Sequence, residues 1–585
     1  MISLPSRRRV AIALAPLCLA AVSHADAQDA PKKQAVDAGK SAGVNSSPLP
    51  LKLEPRPTSG AITTQDLMTR LYIFADDSLA GRDVGTEGHY KATTYIAGEL
   101  KRLGLKPMGD SGTYFQTLPL KTRKVDRMSS FVAGGTNLAL GQTWGFSGSG
   151  NITIDDAEVF FAGPLPEEGM PTVTPEQAKG RVVAYSITGN PALQRSVVGR
   201  VEAPAGSVGV LFLLPVQARG VLGYVLQGGL SPVDPNAPRD ARLFVTDSAT
   251  MRIFGSGMQM LVPGALGAKV NVKALVDMQS PAFAARNVVA MIPGSDPKLA
   301  TQYVAIGAHS DHVGTARRAI DHDSVLVFNR IVRPAGAEND DKMGTADQFT
   351  QINAELAELR KTQPARRDSI FNGADDDGSG SMAVLEIAEY LATQKVKPKR
   401  STLFVWHAGE EKGLWGSAHF TEYPTVARDS IVAQLNMDMV GRGSATDQTG
   451  MSAEGKELRG GPDYLQLVGS RRLSTELGDL VEKVNTTKKH NFTFDYAMDA
   501  NGHPMNIYCR SDHYEYAKWN IPVTFFTTGG HSAYHQLTDE PQYIDYPHMQ
   551  RVSRLVADIA TALGNGASRP KVDGTKMDPR GSCKQ

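Results

Sequence analysis

Hydrophobic and polar positions follow two alternating patterns in the second half of this chain. From residue 287 onward, short apolar runs are separated by segments whose apolar residues recur every three or four positions. The runs predict buried strands over 288–292, 303–308, 402–406, 431–435 and 521–526. The segments between them predict amphipathic helices, so we expect an α/β domain with a mixed, mostly parallel central sheet and helices on both faces.

Four helices are predicted from their periodicity. One follows Thr63, a residue type favoured at helix N-caps, and a second covers 86–104, where Gly104 ends the pattern. The other two cover 379–393 and 547–563. Each has an apolar side that we expect to pack against the sheet.

The region 140–280 has a different pattern. Short strands separated by turns rich in Pro and Gly are predicted over 157–162, 181–185 and 208–214. No cluster of reactive side chains occurs there in the sequence. We interpret the region as a separate strand-rich domain, inserted into a host domain that covers 58–139 and 281–565.

Three further segments lack the pattern of either domain. Within the host, 315–368 is charged and loosely patterned apart from a predicted helix at 347–361, so we expect a lid, a contact surface or a partly disordered insertion. Residues 28–57 are predicted to be a flexible leader and 566–585 a disordered tail.

The first 27 residues have the features of a signal peptide. Three arginines, Arg7–Arg9, precede thirteen largely apolar residues, and small residues follow at Ala25 and Ala27. Thirteen residues are too few to span a bilayer, and no second long apolar segment occurs in the sequence. We therefore expect export to the periplasm or the medium without stable membrane insertion. The export route, whether general or twin-arginine, stays open.

The composition of the chain indicates which classes of binding partner are not expected. The chain has 585 residues and a formal net charge of +1, which gives no electrostatic reason to expect nucleic acid or an anionic membrane as a partner. Beyond the leader, Cys509 and Cys583 are the two cysteines, and the sequence leaves their pairing open.

Candidate chemistry is concentrated where the predicted host strands end. The side chains concerned are His309 and Asp311, Asp375–Asp377, Glu410 and Glu411, Asp438, and His531 and His535. Ligands commonly gather at the carboxyl edge of an open α/β sheet. Singly, each of these residues has a structural explanation, such as a helix cap or a hydrogen-bonded histidine. Together, at least three carboxylates meeting at one edge need a cation.

The residue types indicate which cation. Imidazole and carboxylate ligands without thiolate suit a catalytic site for zinc, with manganese or cobalt as alternatives. Two histidines and three carboxylates are too many for one tetrahedral zinc. They suit two metals that share a bridging carboxylate and keep open positions for water and substrate.

Five motifs, in order along the chain, resemble those of the M28 family of zinc metallopeptidases. They are GAHSDHVG, NGADDDGSGS, GEEKGLWGS, NMDMVGR and RSDHYEYAKWNIPVTFFTTGGHSAYH. The resemblance covers about 60–135 and 285–565 and implies the zinc exopeptidase fold. The region 140–280 is similar to the protease-associated domain that many members carry as an insert, most clearly at APAGSVGVLFLLP.

The resemblance implies two Zn²⁺ per chain and a ligand set. His309 and Asp438 correspond to the ligands of one metal, and Glu411 and His535 to those of the other. Asp376 corresponds to the carboxylate that bridges them. The resemblance also implies a cis peptide bond between Asp376 and the next residue.

Three further roles follow from the same resemblance. Asp311 corresponds to the residue that orients His309, and Tyr534 lies where a hydroxyl can stabilise a tetrahedral oxyanion. Glu410 corresponds to the general base, which would activate a water between the two metals as the nucleophile. The two adjacent glutamates would then divide the work between metal binding and proton transfer.

The implied activity is hydrolysis of peptides, with release of N-terminal residues. Alternatives on the same fold are a carboxypeptidase, for which Arg510 or Arg442 could bind the substrate carboxylate, and a single-zinc cyclase. A catalytically silent, receptor-like protein would instead have lost ligands, and none is missing. Departures from the family pattern are the long link between His309 and Asp376 and an aspartate, Asp377, where Asn is common. Side-chain preference and oligomeric state stay open.

Overall fold

A computed structural model describes residues 49–148, 150–165, 171–187, 201–216, 220–226, 228–233, 242–581 and 583–585. The chain divides into two compact units. The smaller consists mainly of Thr117–Ala285. The larger contains the described residues before Gly85, together with Gly88–Gln116 and Arg286–Gln585. The predicted signal peptide and most of the predicted leader lie outside the described residues.

The larger unit is built on one mixed sheet, whose strands are numbered here within that unit. They are β1 (Lys106–Pro107), β2 (Phe115–Thr117), β3 (Arg286–Ile292), β4 (Tyr303–His309), β5 (Ser401–His407), β6 (Ile431–Met437), β7 (Tyr464–Val468), β8 (Thr493–Asp495) and β9 (Val523–Thr527). Their order is β1-β3-β5-β4-β6-β9-β7-β8, with β2 paired to β3. All five predicted strands are therefore present, each shifted by at most two residues at either end.

The middle of this sheet is parallel. Strand β4 pairs in parallel with both β5 and β6, and β6 pairs in parallel with β9. On either side of these four strands, β3 runs antiparallel to β5 and β7 runs antiparallel to β9. Four carboxyl ends therefore meet at one edge of the sheet, and four successive loops leave from it.

Helices pack on both faces of the sheet, and two more belong to the insertion. They are α1 (Thr64–Phe74), α2 (Glu87–Arg102), α3 (His322–Val332), α4 (Ala346–Leu359), α5 (Gly380–Thr393), α6 (Trp415–Glu422), α7 (Thr475–Thr487), α8 (His513–Ala517) and α9 (Tyr546–Asn565). Helices α1, α2, α5, α7 and α9 share one apolar core with the sheet, while α6 and α8 share the core on the opposite face. Alternate residues of β5 enter the two cores, with Phe404 and Trp406 in one and Leu403 and Val405 in the other. The mixed α/β class predicted from the sequence is confirmed.

One buried ion cluster ties the first helix to this core. The Arg70 guanidinium on α1 is fully buried and pairs with Glu386 and Glu389 on α5, with 2.9 Å between Arg70 Nε and Glu386 Oε2. Its third partner is Glu99 on α2, at 3.0 Å. These pairs fix three helices to one another on the same face of the sheet.

The smaller unit is rich in strands, in line with its sequence pattern. An eight-stranded sheet contains, in order, Thr136–Leu138, Ser130–Ala133, Leu266–Ala274, Ile152–Pro164, Val182–Ser186, Gly209–Leu214, Arg242–Thr246 and Trp144–Ser147. A three-stranded sheet contains Leu230–Pro232, Leu120–Val125 and Val276–Gln279. Helices cover Pro175–Ala178, Gly220–Leu226 and Asp247–Phe254. The unit begins before residue 140, because strands at 120–133 pair with strands more than 130 residues later, which local patterning does not reveal.

The insertion at 315–368 is more regular than its sequence pattern indicated. Thr315–Asp321 pairs with Arg367–Ile370 as a two-stranded ribbon, and α3 and α4 lie between them in the chain. Helix α4 was predicted; α3 was not. Arg360 pairs with Asp321 and Asp323, so an ion cluster, together with a small apolar cluster of α3 and α4, holds the segment.

The C-terminal segment differs from the disordered tail that we expected. Cys583 forms a disulfide with Cys509. Asp573 accepts hydrogen bonds from Thr475 at the start of α7, and Arg569 donates to the main-chain carbonyl of Ile431. Polar side chains that suggested solvent exposure are used here as hydrogen-bonding groups. In the described part of the chain, no helix meets the length and apolarity needed to cross a membrane.

Candidate metal centre

The four parallel strand ends deliver the predicted side chains to one place. Strand β4 ends at His309, and β6 ends one residue before Asp438. Strand β5 is followed by a short turn, Glu410–Lys412, and β9 by the loop that carries His535. The sheet alone therefore brings a histidine or a carboxylate from four separate parts of the chain to a common edge.

Asp376 comes from the segment before α5 and lies between these groups. The peptide bond that joins it to Asp377 is cis, as predicted. The backbone amides of Asp375 and Asp376 donate to the Asp539 carboxylate at 3.0 and 3.1 Å. A second buried carboxylate therefore fixes the backbone from which Asp376 projects.

One oxygen of Asp376 faces the first candidate metal position. Its Oδ1 lies 3.2 Å from His309 Nε2, which lies 3.6 Å from Asp438 Oδ1. The other Asp438 oxygen accepts a hydrogen bond of 2.7 Å from the Ser511 hydroxyl, which fixes the carboxylate in that orientation.

The second oxygen of Asp376 faces a second position. Its Oδ2 lies 2.8 Å from His535 Nε2, which lies 3.0 Å from Glu411 Oε1. One carboxylate thus has one oxygen in each group of ligands. The five residues predicted to bind metal therefore lie together, with Asp376 between the two pairs.

The residues fit a metal pair by their chemistry. His309 Nε2 and Asp376 Oδ2 are buried, and each faces another candidate ligand atom, Asp376 Oδ1 at 3.2 Å and His535 Nε2 at 2.8 Å. Burial acts to lower the pKa of His309, yet Asp438, Asp311 and Asp376 outweigh it and hold that pKa well above its ordinary value. The carboxylates that attract a proton to this imidazole would equally attract a metal cation. That cation would be bound by His309 Nε2 and the Asp376 carboxylate.

The two adjacent glutamates have different surroundings. Glu411 points at His535, whereas no cation of the described residues lies within ion-pair distance of the half-buried Glu410 carboxylate. Burial raises the pKa of Glu410 well above its usual range, and the nearby Asp438 adds to this while His309 opposes it. A carboxylate with raised proton affinity beside a metal centre is suited to accept a proton.

Asp311 contacts both His309 and the glutamate turn. His309 Nδ1 lies 3.1 Å from the main-chain carbonyl of Asp311 and 3.7 Å from its carboxylate. The carboxylate instead accepts from the backbone amides of Gly409 at 2.7 Å and Glu410 at 3.1 Å. Asp311 therefore orients His309 through its backbone and the glutamate turn through its side chain.

The β9 loop separates its two histidines. His531 Nε2 lies 3.1 Å from Asp375 Oδ2, so this histidine supports the aspartate segment and lies outside the ligand set. The ring of Tyr534 stacks on His535, with 4.1 Å between centroids. Beside it, Arg510 pairs with Glu338 of the insertion.

Sequence reasoning missed three residues at this site. His312 belongs to the second ligand group, Asp539 holds the aspartate backbone, and the buried Arg82 donates to the carbonyls of Asn372 and Gly373 at 2.5 and 2.8 Å. His312 and Asp539 stand within or close to the motifs already quoted, three and four residues from a predicted ligand. Arg82 lies over 200 positions from its partners, and no local pattern indicates its role.

A parallel sheet edge with two ligand groups sharing a carboxylate defines an α/β protein with a candidate binuclear metal centre. The model of peptidase family M28 matches residues 287–560, which contain the whole ligand set. These residues belong to peptidase family M28.

Curated proteins with similar sequences match over shorter stretches. Leucine aminopeptidase 1 of Sclerotinia sclerotiorum is 29% identical over 200 residues, 33% of this chain and 46% of that protein. An aminopeptidase of Pseudomonas aeruginosa is 40% identical over 96 residues, 15% of this chain and 18% of that protein. The chain thus spans less than half the length of these relatives.

Solved structures are similar over more of the chain at lower identity. A zinc aminopeptidase of Bacillus subtilis is 14% identical, with a TM-score of 0.43, over 89% of this chain and 100% of that one. An aminopeptidase of an Aneurinibacillus strain is also 14% identical, with a TM-score of 0.42, over 89% of this chain and 98% of that one.

Proposed function

We propose that this protein is an exported aminopeptidase that uses two zinc ions to release single N-terminal residues from peptides. The observation that carries the proposal is the shared carboxylate, Asp376, with one oxygen beside His309 and the other beside His535. The names of the curated relatives support the same activity. The proposal that the protein is exported depends on the leader sequence. From sequence similarity, the proposal also includes a protease-associated domain at 140–280.

His309 and Asp438 would hold one zinc, Glu411 and His535 the other, and Asp376 both. When bound, the two ions would acidify the attacking water and polarise the scissile carbonyl. The protein supplies the placement: the Ser511 hydroxyl holds Asp438, and the Asp539 carboxylate holds the backbone of Asp376. Such supporting contacts keep ligand atoms in place before substrate arrives.

Glu410 is the proton carrier of the proposed reaction. Its carboxylate accepts a proton from the attacking water and returns it to the nitrogen of the leaving amine, so no covalent intermediate with the protein is needed. The backbone of its turn is fixed by the Asp311 carboxylate through two amide hydrogen bonds. That fixation keeps the proton acceptor in position without using its own oxygens.

Tyr534 and Arg510 are the groups that could stabilise the developing oxyanion. Burial raises the pKa of Tyr534 well above its ordinary value, although Arg510 opposes the shift. The phenol therefore stays protonated at neutral pH and keeps its hydrogen available for donation.

Charge around the centre is compatible with a free N-terminus. The ligand groups bring three carboxylates and the neighbouring Glu410 to one edge, and their four negative charges would offset those of two bound zinc ions, so that an α-ammonium would not be repelled. Of the two arginines considered for carboxylate binding, Arg510 pairs with Glu338, whereas Arg442 donates from Nη1 to the carbonyl of Tyr543 at 2.9 Å and its Nε has no hydrogen-bond partner in the described structure. A carboxypeptidase would have to release Arg510 from Glu338 or use Arg442.

The test compares chromogenic aminoacyl amides with their N-acetylated equivalents on protein of measured metal content. We expect N-acetylation to lower kcat/KM by at least about 100-fold, which corresponds to about 2.7 kcal/mol of transition-state binding. Equal turnover of free and blocked substrates would contradict the proposal. Faster turnover of N-blocked peptides with a free C-terminus would favour the carboxypeptidase alternative.

A further inference from the structure

His312 occupies a position that the proposed ligand set leaves unexplained. It follows His309 by three residues, in the loop after β4, and its side chain is fully buried. Its Nε2 has no hydrogen-bond partner within the described structure, and its Nδ1 faces only carboxylates of the second ligand group. A buried imidazole whose one polar contact is with metal-binding carboxylates is costly unless another partner completes its surroundings.

The ring is held with one nitrogen facing the second ligand group. His312 Nδ1 lies 2.8 Å from Glu411 Oε1 and 3.8 Å from Asp376 Oδ2. The opposite side of the ring contacts Gly373, where an added Cβ would lie 2.5 Å from the imidazole carbons. Gly373, which also has a positive φ of 55°, therefore leaves the space that this orientation requires.

The spacing of the ligand atoms matches a tetrahedral ion. Zinc bound at about 2.0–2.1 Å places its ligand atoms about 3.3 Å from one another. Four of the six separations among His312 Nδ1, Glu411 Oε1, Asp376 Oδ2 and His535 Nε2 are 2.8, 2.8, 3.0 and 3.8 Å, on either side of that value. All four atoms lie within 4.8 Å of one another.

We propose that His312 is a direct ligand of the second zinc, which then has four protein ligands while the first has three. This inference rests on the proposed two-zinc function. Four protein ligands characterise a closed zinc site, whereas three leave a position for water or substrate. The second position would therefore bind its ion more tightly and would have to expand to five-coordinate to share the attacking water, whereas the first keeps an open coordination position.

The inference is tested by metal binding alone, without substrate. We expect apo protein titrated with zinc against a chromophoric chelator to bind two ions with different affinities. His312→Gln should weaken only the tighter one, by at least about 100-fold, more than the 10–100-fold typical of residues that merely support a ligand. His312→Asp, which retains an oxygen ligand, should recover part of the affinity. His490→Gln is the matched control, because that histidine pairs with Asp558 outside the centre.

Two further readouts separate the possible outcomes. Cobalt-loaded His312→Gln should show an altered visible absorption spectrum, because a nitrogen ligand is lost. Unchanged affinities together with an unchanged spectrum would overturn the inference. A loss of affinity of about 10-fold with the same spectrum would also overturn it, because it indicates that His312 only supports Glu411 through a hydrogen bond.

If the variant does not fold, a crystal structure of the zinc-loaded wild type decides. An Nδ1–zinc distance of about 2.0–2.1 Å supports the inference, and a longer distance refutes it. Wild type that binds no zinc would instead contradict the proposed function itself.

Discussion

Exchanging one adjacent glutamate at a time for glutamine should separate metal binding from proton transfer. Glutamine keeps the size of the side chain, and Asp311 holds this turn through the backbone amides of Gly409 and Glu410. Neither exchange should therefore change the backbone. The two variants differ only in which carboxylate is lost.

The expected magnitudes follow from the surroundings of each carboxylate. Glu411 Oε1 lies 3.0 Å from His535 Nε2, within a ligand group, so Glu411→Gln should lower zinc occupancy of one position. Glu410 makes no ion pair within the described structure, so Glu410→Gln should keep both ions. Its kcat should fall by about 10²–10⁴-fold, the usual contribution of a general base, or about 2.7–5.4 kcal/mol.

The assay measures zinc by mass spectrometry after exhaustive dialysis, then kcat and KM on an aminoacyl amide at saturating zinc. Wild type at the same zinc concentration is the reference. Added zinc should restore Glu411→Gln in part and leave Glu410→Gln inactive. If Glu410→Gln lost an ion while Glu411→Gln kept two and was inactive, the assigned roles would be reversed.

Three further predictions test the metal, the core and the C-terminal segment. A strong chelator should abolish activity and zinc should restore it, and an active enzyme with zinc at no more than trace levels would refute the metal dependence. Arg70→Leu should lower the free energy of unfolding by about 3–5 kcal/mol, because it leaves Glu386 buried without its cation. The control variant is Arg102→Leu. Because Arg102 is half-exposed, its loss should lower the free energy of unfolding by less than about 1 kcal/mol. Urea titrations that gave equal losses would contradict the difference in burial. Cys583→Ser should lower stability by about 2–4 kcal/mol in the same assay, and no change would show that the disulfide does not form.

The sequence predicted those parts of the fold that depend on local pattern. Strand β5 is an uninterrupted apolar run because both of its sides are buried, with Leu403 on one face and Phe404 on the other. The start of the smaller unit and the attachment of the tail were not predictable in this way. They depend on pairings such as Cys583 with Cys509 and Val276 with Val125, which connect distant segments.

The ligands were predictable for a related reason. Asp438 directly follows a buried strand, where a carboxylate needs a cation, so its residue type alone is informative. His312 gave no such signal. It stands beyond the strand end, after a histidine and an aspartate that already had assigned roles, and only the direction of its ring shows that it faces Glu411.

Histidines facing the carboxylates explain why the centre tolerates so much like charge. Asp376, Asp438, Glu410 and Glu411 come from loops at one sheet edge, and burial alone would raise the pKa of each. Instead the pKa of Asp376 is held well below its usual range, because His535 and His309 outweigh the effect of burial. That of Glu410, with no imidazole in contact, is raised. The pKa of Glu411 is likewise lowered, because His535 faces it, whereas that of Asp438 is raised because burial there outweighs His309. The histidines therefore stabilise the charged form of Asp376 and Glu411 most strongly, and the assignment of Glu410 as proton acceptor depends on its lack of an ion pair among the described residues. Changing a histidine should alter metal binding, while moving Glu410 by one methylene, as in Glu410→Asp, should leave both ions bound and reduce kcat alone. A Glu410→Asp variant that lost zinc would show that this carboxylate is itself a ligand.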